Sequence, residues 1–283
     1  MVNQDPIVYL NGEFLPLSQA KVPVLDRGFL FGDGVYEVIP VYGGRPLRLA
    51  EHLERLGKSL SGIRMEPPLA LEEWAAIFNS LIQGGHDQQI YLQVTRGVGT
   101  RRDHAFPPGI APTVFAMCTP IAPIPAAGVK AITVQDIRWQ WCHIKAITLL
   151  ANVLQRQQAV EAGCAEAIMV RDGYAIEGAA SNLFAVVEGV LLTPPKGTDI
   201  LPGITRDLVV EIAQANAIPL QERKISLAEL NQAEEVWMTS STREVLPIVE
   251  LDGRKVGNGE PGPVWVRMNA LYQRRKELLR KGL

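Results

Sequence analysis

The segment Thr119-Pro120-Ile121-Ala122-Pro123-Ile124-Pro125 constrains the fold more than any other stretch of the chain. Three prolines in seven residues remove backbone donors and fix φ, so neither a helix nor a central strand is expected to run through them. The chain is expected to divide here. This gives a small N-terminal α/β domain over 1–118, a proline-rich linker over 119–127 and a larger C-terminal domain over 128–283. A length of 283 residues suits two such domains better than a single core.

On the N-terminal side, Ile7–Leu10 and Phe14–Leu17 flank Asn11-Gly12, a pair suited to the positive φ values of a type I′ hairpin turn. A second strand, Val35–Ile39, leads to a turn at Gly43-Gly44. Leu49, Leu53, Leu56, Leu60 and Ile63 keep helical spacing, as do Trp74, Ile77, Phe78, Leu81 and Ile82. Strands are expected at Ile90–Thr95 and Thr113–Cys118. Beyond the prolines, the pattern predicts an apolar helix from about Leu149 to Ala162, then hairpins turning at Asp172-Gly173 and Glu188-Gly189. A helix opens near Gly203-Ile204-Thr205-Arg206, a strand follows at Glu235–Thr239, a hairpin turns at Asp252-Gly253, and a basic amphipathic helix ends the chain. Strands joined partly by hairpins and partly by helices predict an α/β (α+β) protein with mixed sheets.

Composition removes several function classes. The chain is 47% hydrophobic and 20% charged with a net charge of −2, which suggests neither nucleic acid nor an anionic membrane as a partner. No apolar run is long enough to span a bilayer, and residues 1–6 show no secretory signal. Cys118, Cys142 and Cys164 are sparse and odd in number, which reads as reduced thiols and a cytoplasmic setting. The four histidines have no metal-ligand spacing, so no metal is expected.

Several residues can carry chemistry. Lys145 is the only lysine between Lys130 and Lys196 and sits in Trp141-Cys142-His143-Ile144-Lys145-Ala146-Ile147. Apolar neighbours disfavour an ammonium ion, and the neutral amine is the form that attacks a carbonyl. Taken alone, Lys145 reads more readily as a surface lysine at a strand end, since most lysines are exposed. Gly203-Ile204-Thr205 at a helix start offers free N–H groups and a hydroxyl to a phosphate, although many helices simply begin this way. Thr239-Ser240-Ser241-Thr242 places hydroxyls at a strand end, for a phosphate or merely for a solvated turn. Glu177, beside Gly178-Ala179-Ala180, can approach a flat ring and partner a pyridine nitrogen, or be an ordinary loop acid. Arg55 falls on the polar flank of an amphipathic helix, where a surface ion pair is the plain alternative. Arg101-Arg102-Asp103-His104 can clamp a carboxylate or act only as surface charge. Gly97-Val98-Gly99 lacks the third glycine and the following helix of a nucleotide loop.

Six blocks in order resemble the fold-type IV pyridoxal-phosphate enzymes from end to end. They are Asp26-Arg27-Gly28 with Phe31-Gly32-Asp33-Gly34-Val35-Tyr36-Glu37; Glu51-His52-Leu53-Glu54-Arg55-Leu56; Ile144-Lys145; Glu177 through Phe184; Gly203-Ile204-Thr205-Arg206; and Thr239-Ser240-Ser241. Within that group, which includes D-amino-acid aminotransferases, branched-chain aminotransferases and aminodeoxychorismate lyases, the chain is most similar to the first. Gly34-Val35-Tyr36-Glu37-Val38 and Arg102-Asp103-His104-Ala105-Phe106-Pro107 carry this similarity.

The resemblance implies a two-domain fold with pyridoxal 5'-phosphate in the cleft between the domains, the C-terminal domain binding most of it, in a homodimer whose active site is shared across the interface. It implies that Lys145 bonds to the cofactor and shuttles the proton, and that Glu177 partners the pyridine nitrogen. Arg55, Ile204, Thr205, Ser240 and Ser241 become the phosphate cup. Tyr36, with Arg102 and His104 from the partner subunit, holds the substrate α-carboxylate. The implied reaction moves an amino group between a D-amino acid, such as D-alanine or D-glutamate, and 2-oxoglutarate or pyruvate. An aminodeoxychorismate lyase, an (R)-amine transaminase or a branched-chain aminotransferase would share the cofactor residues. A silent ligand-binding homologue would need neither Lys145 nor Glu177. A slightly longer loop around Arg102, the extra Arg101, and Arg243 in place of a smaller residue depart from the pattern and bear on side-chain preference.

Overall fold

The computed structural model describes residues 5–125 and 127–283. The chain forms two compact units. One takes the chain through Ile121, then Ile144–Thr148 and Leu279–Leu283; the other takes Ala122–His143 and Leu149–Leu278. The division falls at Ile121 inside the proline-rich segment, of which Ala126 lies outside the described residues. Lys145 belongs with the first unit, although its position in sequence put it beyond the linker.

In the first unit, the elements in order are β1 (Ile7–Leu10), β2 (Glu13–Pro16), α1 (Arg27–Phe31), β3 (Gly34–Tyr42), β4 (Arg45–Pro46), α2 (Leu49–Gly62), α3 (Leu71–Leu81), β5 (Gln88–Thr95) and β6 (Thr113–Pro120). The sheet runs β2-β1-β6-β5-β3-β4 and is antiparallel throughout. The expected turns form where glycine and asparagine allow positive φ, at Asn11 (50°) with Gly12 (99°) and at Gly43 (59°) with Gly44 (78°). Strand β5 buries alternate residues, as one covered face requires. Ile39, Val41, Ile90, Leu92 and Val94 on that face pack with Leu56 and Leu60 of α2 and Trp74 and Phe78 of α3.

Strand β6 reaches Pro120, two residues past the expected end at Cys118. A proline fits because β1 meets β6 only at Phe115 and Ala116, so Pro120 faces the single partner Gln88.

In the second unit, β7 (Val129–Gln135), α4 (Leu150–Glu161), β8 (Glu166–Arg171), β9 (Tyr174–Gly178), β10 (Asn182–Val187) and β11 (Val190–Thr193) come first. They are followed by α5 (Ile204–Ala215), β12 (Leu220–Glu222), β13 (Ile225–Ser226), α6 (Leu227–Gln232), β14 (Glu235–Ser240), β15 (Glu244–Leu251), β16 (Arg254–Lys255) and α7 (Pro263–Arg280), the last two residues of α7 counting with the first unit. The ten-stranded sheet runs β12-β11-β10-β14-β15-β7-β8-β9-β13, with β16 on β15. Its β7–β8, β15–β7 and β11–β12 pairs are parallel, so this sheet is mixed. Pairing of Asn182 with Glu177 joins β10 back to β9 and closes the path β10-β14-β15-β7-β8-β9 into a ring.

The helix expected to be apolar is α4, but it faces the other way. Gln155 and Ala159 are its buried residues, while Leu150, Val153, Leu154 and Val160 are exposed. Among the described residues, no helix is long and apolar enough to cross a membrane.

Candidate active site

Strand β3 places Val35, Glu37, Ile39 and Val41 on its buried face, so period-two geometry carries a carboxylate into the core with three apolar side chains. A bare carboxylate there would be prohibitive. Helix α2 answers it. Its buried stripe, His52, Arg55, Leu56, Ser59 and Leu60, has three-and-four spacing and mixes polar with apolar residues. Arg55 donates from Nε to Glu37 Oε1 and from Nη2 to Oε2, each at 2.7 Å. His52 Nδ1 lies 2.8 Å from Oε2. Burial alone would raise the Glu37 pKa, but the Arg55 charge and the hydrogen bonds from Arg55 and His52 outweigh it and hold the pKa at about 2. Burial also keeps the His52 pKa below its usual value despite Glu37, so the neutral ring donates from Nδ1. Arg55, expected on the polar flank of this helix, is only 6% exposed because its partner is on the core face of β3.

Lys145 is fixed against the start of that strand. Val35 and Ala146 form an antiparallel bridge. Tyr36 N donates to Lys145 O at 3.0 Å, and Ile147 N to Gly34 O at 3.1 Å. Lys145 N donates to Ser59 Oγ of α2 at 3.1 Å. Gly34 permits this approach, since a Cβ there would fall 2.6 Å from Val94 O and 3.0 Å from Ile147 Cδ1. The Lys145 amine stands 4.1 Å from the centre of the Tyr36 ring, and the chain neighbours Ile144 and Ala146 are buried. Tyr36, Arg55 and Lys145 are thus gathered around one end of β3. Arg102 and His104 lie on an exposed loop of the same unit, the Arg102 guanidinium 5.0 Å and the His104 ring 5.2 Å from the centre of Phe31. Arg101 pairs with Asp103 at the surface.

In the second unit, Glu177 is on β9 where the ring of strands closes, and it is 4% exposed. Arg138 Nη1 donates to Oε1 at 2.5 Å, Asn182 Nδ2 to Oε2 at 3.0 Å, and Leu201 N reaches both oxygens at 3.2 Å. The rest of the Arg138 fork is committed elsewhere. Its Nε and Nη2 donate to Asp136 at 3.0 and 2.9 Å, and Nη2 also to Asp199 O at 3.2 Å. Burial pushes the Glu177 pKa up to about 7, further than Arg138 and Leu201 N draw it down, and the nearby Asp136 charge adds to the rise.

Asn182 ties Glu177 to the start of α5. Its Nδ2 also donates to Leu201 O at 2.8 Å, and a Cβ on Gly203 would fall 1.9 Å from its Oδ1. Gly203 is the N-cap of α5, and among the described residues no side chain caps the helix, which Ile204 and the buried Thr205 open. Asn182 pairs with Thr239 across β10 and β14, beside Ser240 and the turn residue Ser241. Ser240 Oγ accepts from Arg243 N at 3.3 Å. Thr239 Oγ1 is buried without a hydrogen-bond partner among the described residues. Asn182 therefore touches Glu177 and lies beside Gly203, which precedes Ile204 and Thr205, and Thr239, which precedes Ser240 and Ser241. The arrangement fits a phosphorylated pyridine: the helix start and the unpartnered hydroxyl suit a phosphate, and the buried acid suits a ring nitrogen.

A family model described as amino-transferase class IV matches residues 34–251, a span that contains all ten candidate residues. The chain is a class IV aminotransferase. Curated relatives of this aminotransferase include the D-alanine aminotransferases of Bacillus licheniformis, 40% identical over 94% of this chain and 95% of that protein, and of Staphylococcus haemolyticus, 39% identical over 91% and 93%. Among solved structures, the branched-chain amino acid aminotransferase of Escherichia coli matches with a TM-score of 0.88 and 29% identity over 95% of this chain and 94% of that one. Class IV aminotransferases use pyridoxal 5'-phosphate, and a further branched-chain enzyme that matches in fold was solved with pyridoxamine 5'-phosphate.

The sequence did not point to Arg138, Asn182, Glu37 or His52 as participants. Glu37, His52 and Asn182 stand inside the family-like sequence blocks without an expected role. The alternation Asp136-Ile137-Arg138 signals an ion pair on one side of an extended segment, but nothing in it names Glu177, 39 residues away.

Proposed function

We propose that this aminotransferase exchanges an amino group between a D-amino acid, such as D-alanine or D-glutamate, and a 2-oxo acid such as pyruvate or 2-oxoglutarate. The observation that carries the substrate class is similarity to D-alanine aminotransferases along 94% of the chain. Lys145 would hold the cofactor at its aldehyde, and Glu177 at its ring nitrogen. Arg55, Ile204, Thr205, Ser240 and Ser241 would take its phosphate. Bound pyridoxal phosphate supplies an electron sink for the carbon that loses a proton. The remaining work belongs to side chains. Lys145 would be the base that removes the substrate α-proton and the acid that returns it. Its main-chain bonds to Tyr36 and Ser59 keep the amine aimed through both proton transfers. Tyr36, Arg102 and His104 hold the α-carboxylate and so decide which enantiomer presents its hydrogen to Lys145.

The active form is a homodimer, favoured by the exposed Leu150, Val153 and Leu154 of α4, which a monomer would leave in water. The setting is cytoplasmic, in keeping with its unpaired cysteines Cys118, Cys142 and Cys164. A panel of D- and L-amino acids assayed with pyruvate and with 2-oxoglutarate tests the reaction, and should give turnover with D-alanine and D-glutamate only. Preference for branched-chain L-amino acids would overturn it. Borohydride reduction followed by peptide mapping should place the cofactor on Lys145, and a label on any other lysine would contradict the assignment.

A further inference from the structure

We propose that Arg27, backed by Asp33 and Arg96, is a positioning clamp that fixes the Arg102–His104 segment for binding the substrate carboxylate. The proposal rests on the carboxylate role given to Arg102 and His104 above. It assigns work to Arg27 and Asp33, which stand in the first sequence block but have no part in the chemistry.

The problem for the loop is entropy. Arg102 and His104 are exposed, and ordering such side chains on each binding event costs affinity. The structure orders the backbone beneath them. One guanidinium receives three consecutive carbonyls: Arg27 donates from Nη1 to Asp103 O at 2.6 Å and Ala105 O at 3.2 Å, and from Nη2 to His104 O at 3.1 Å. With its carbonyls turned towards Arg27, the segment lays Arg102 and His104 against the Phe31 ring, which Arg27 itself approaches at 4.9 Å.

The mount of Arg27 is rigid. Asp26, wholly buried, caps α1 by accepting from Gly28 N at 2.8 Å, and it accepts from Thr95 Oγ1 and Thr113 Oγ1 of the sheet at 3.0 and 2.6 Å. Arg27 N donates to Gly97 O at 2.9 Å, tying α1 to the root of the loop. Asp33 balances the charge by accepting from Arg27 Nε at 2.8 Å. On its other side, Asp33 accepts from Arg96 Nε and Nη2 at 2.8 and 3.0 Å. Arg96 donates onward to Ile63 O at 2.6 Å and lies 3.6 Å from the centre of the Phe106 ring, the next aromatic in the loop. The loop is thus gripped through three carbonyls and one ring, and none of these contacts uses the side chains of Arg102 or His104. A lysine at 27 would carry the charge but could not reach Asp33 and three carbonyls with one ammonium.

The test uses the cofactor-loaded enzyme and the variants Arg27→Lys, Arg102→Ala and their double. Arg27→Lys keeps the charge beside Asp33, so it is the variant that should remain folded. Amide hydrogen exchange across 102–106 should speed up about tenfold or more in Arg27→Lys, while exchange in α2 and α3 stays at the parent rate. KM for D-alanine should rise about tenfold with kcat and cofactor retention within about twofold of the parent. In the Arg102→Ala background, Arg27→Lys should cost less than about twofold more, because it acts through a residue already removed. Unchanged loop exchange overturns the clamp whatever the kinetics, and so does a loss that falls on kcat or multiplies fully with that of Arg102→Ala. Faster loop exchange together with a parent-like KM in Arg102→Ala would instead sink the carboxylate reading of the loop.

Discussion

Glu37 in the first unit and Glu177 in the second are each buried against an arginine, and the two pairs behave in opposite ways. Glu37 and Glu177 are both shut away from water, yet the first carboxyl is held at about 2 and the second is pushed up to about 7. The difference lies in how the arginine fork is spent. Arg55 gives Glu37 two parallel bonds, and His52 adds a third contact. Arg138 gives Glu177 one nitrogen and spends the rest on Asp136 and Asp199 O. Bidentate pairing compensates burial, whereas a single shared nitrogen with neutral donors does not. The Glu37 site is complete and organises α2 beneath Lys145. The Glu177 site is short of positive charge, and a protonated pyridine nitrogen would supply it.

The largest effect should follow from breaking the complete pair. Glu37→Gln leaves Arg55 buried without its counter-ion and should cost about 3–5 kcal/mol at neutral pH, measured by denaturant unfolding. The pH dependence has a definite sign. The Glu37 pKa lies below its ordinary 4.5, so its contribution is whole above that value and is lost as pH falls towards about 2. The gap between parent and variant should therefore close between those two values. A gap that stays constant across this window would show that the pair is not tuned as described.

Glu177→Gln should cost less in stability and more in turnover. We expect kcat to fall about 100-fold, the scale for removing one preorganised electrostatic partner, with the cofactor retained. In the cofactor-free protein, the pH dependence has the opposite sign. The folded pKa is raised from 4.5 to about 7, so stability is whole below 4.5 and is lost as pH rises through about 7. The parent should lose roughly 3 kcal/mol across that window that Glu177→Gln does not lose. Parallel stability profiles for parent and variant would erase the contrast between the two pairs.

The smallest of these effects is at Arg55. Arg55→Lys keeps a charge beside Glu37 but loses the planar fork, and should weaken cofactor binding about tenfold in equilibrium titration. Unaltered binding would leave Arg55 as the partner of Glu37 alone.

Much of the fold was legible because it depends on local rules. The turns at Asp172-Gly173 and Glu188-Gly189 form where the residues tolerate positive φ, and the spacing of Leu49, Leu53, Leu56 and Leu60 set the phase of α2. What was hidden depends on partners distant in sequence. Arg55 read as a surface residue because the carboxylate that draws it inward is 18 positions earlier, on a different element. Lys145 joins the first unit through its own backbone bonds to Tyr36 and Ser59 and that of Ile147 to Gly34, which no periodicity announces. Helix α4 has apolar residues at helical spacing, and their pattern cannot say whether the chain itself or another surface covers them. The candidate residues were recognised as blocks in order, but the reason Glu177 suits the role proposed for it, an arginine committed mainly to Asp136, is visible only in three dimensions.

The central claim is that the undercompensated Glu177 supplies the negative charge for the ring nitrogen of the cofactor. Loading parent and Glu177→Gln with pyridoxal phosphate labelled with nitrogen-15 and recording the ring-nitrogen resonance near pH 8 tests it most directly. We predict a protonated nitrogen in the parent and an unprotonated one in the variant. The same protonation state in both proteins would contradict it.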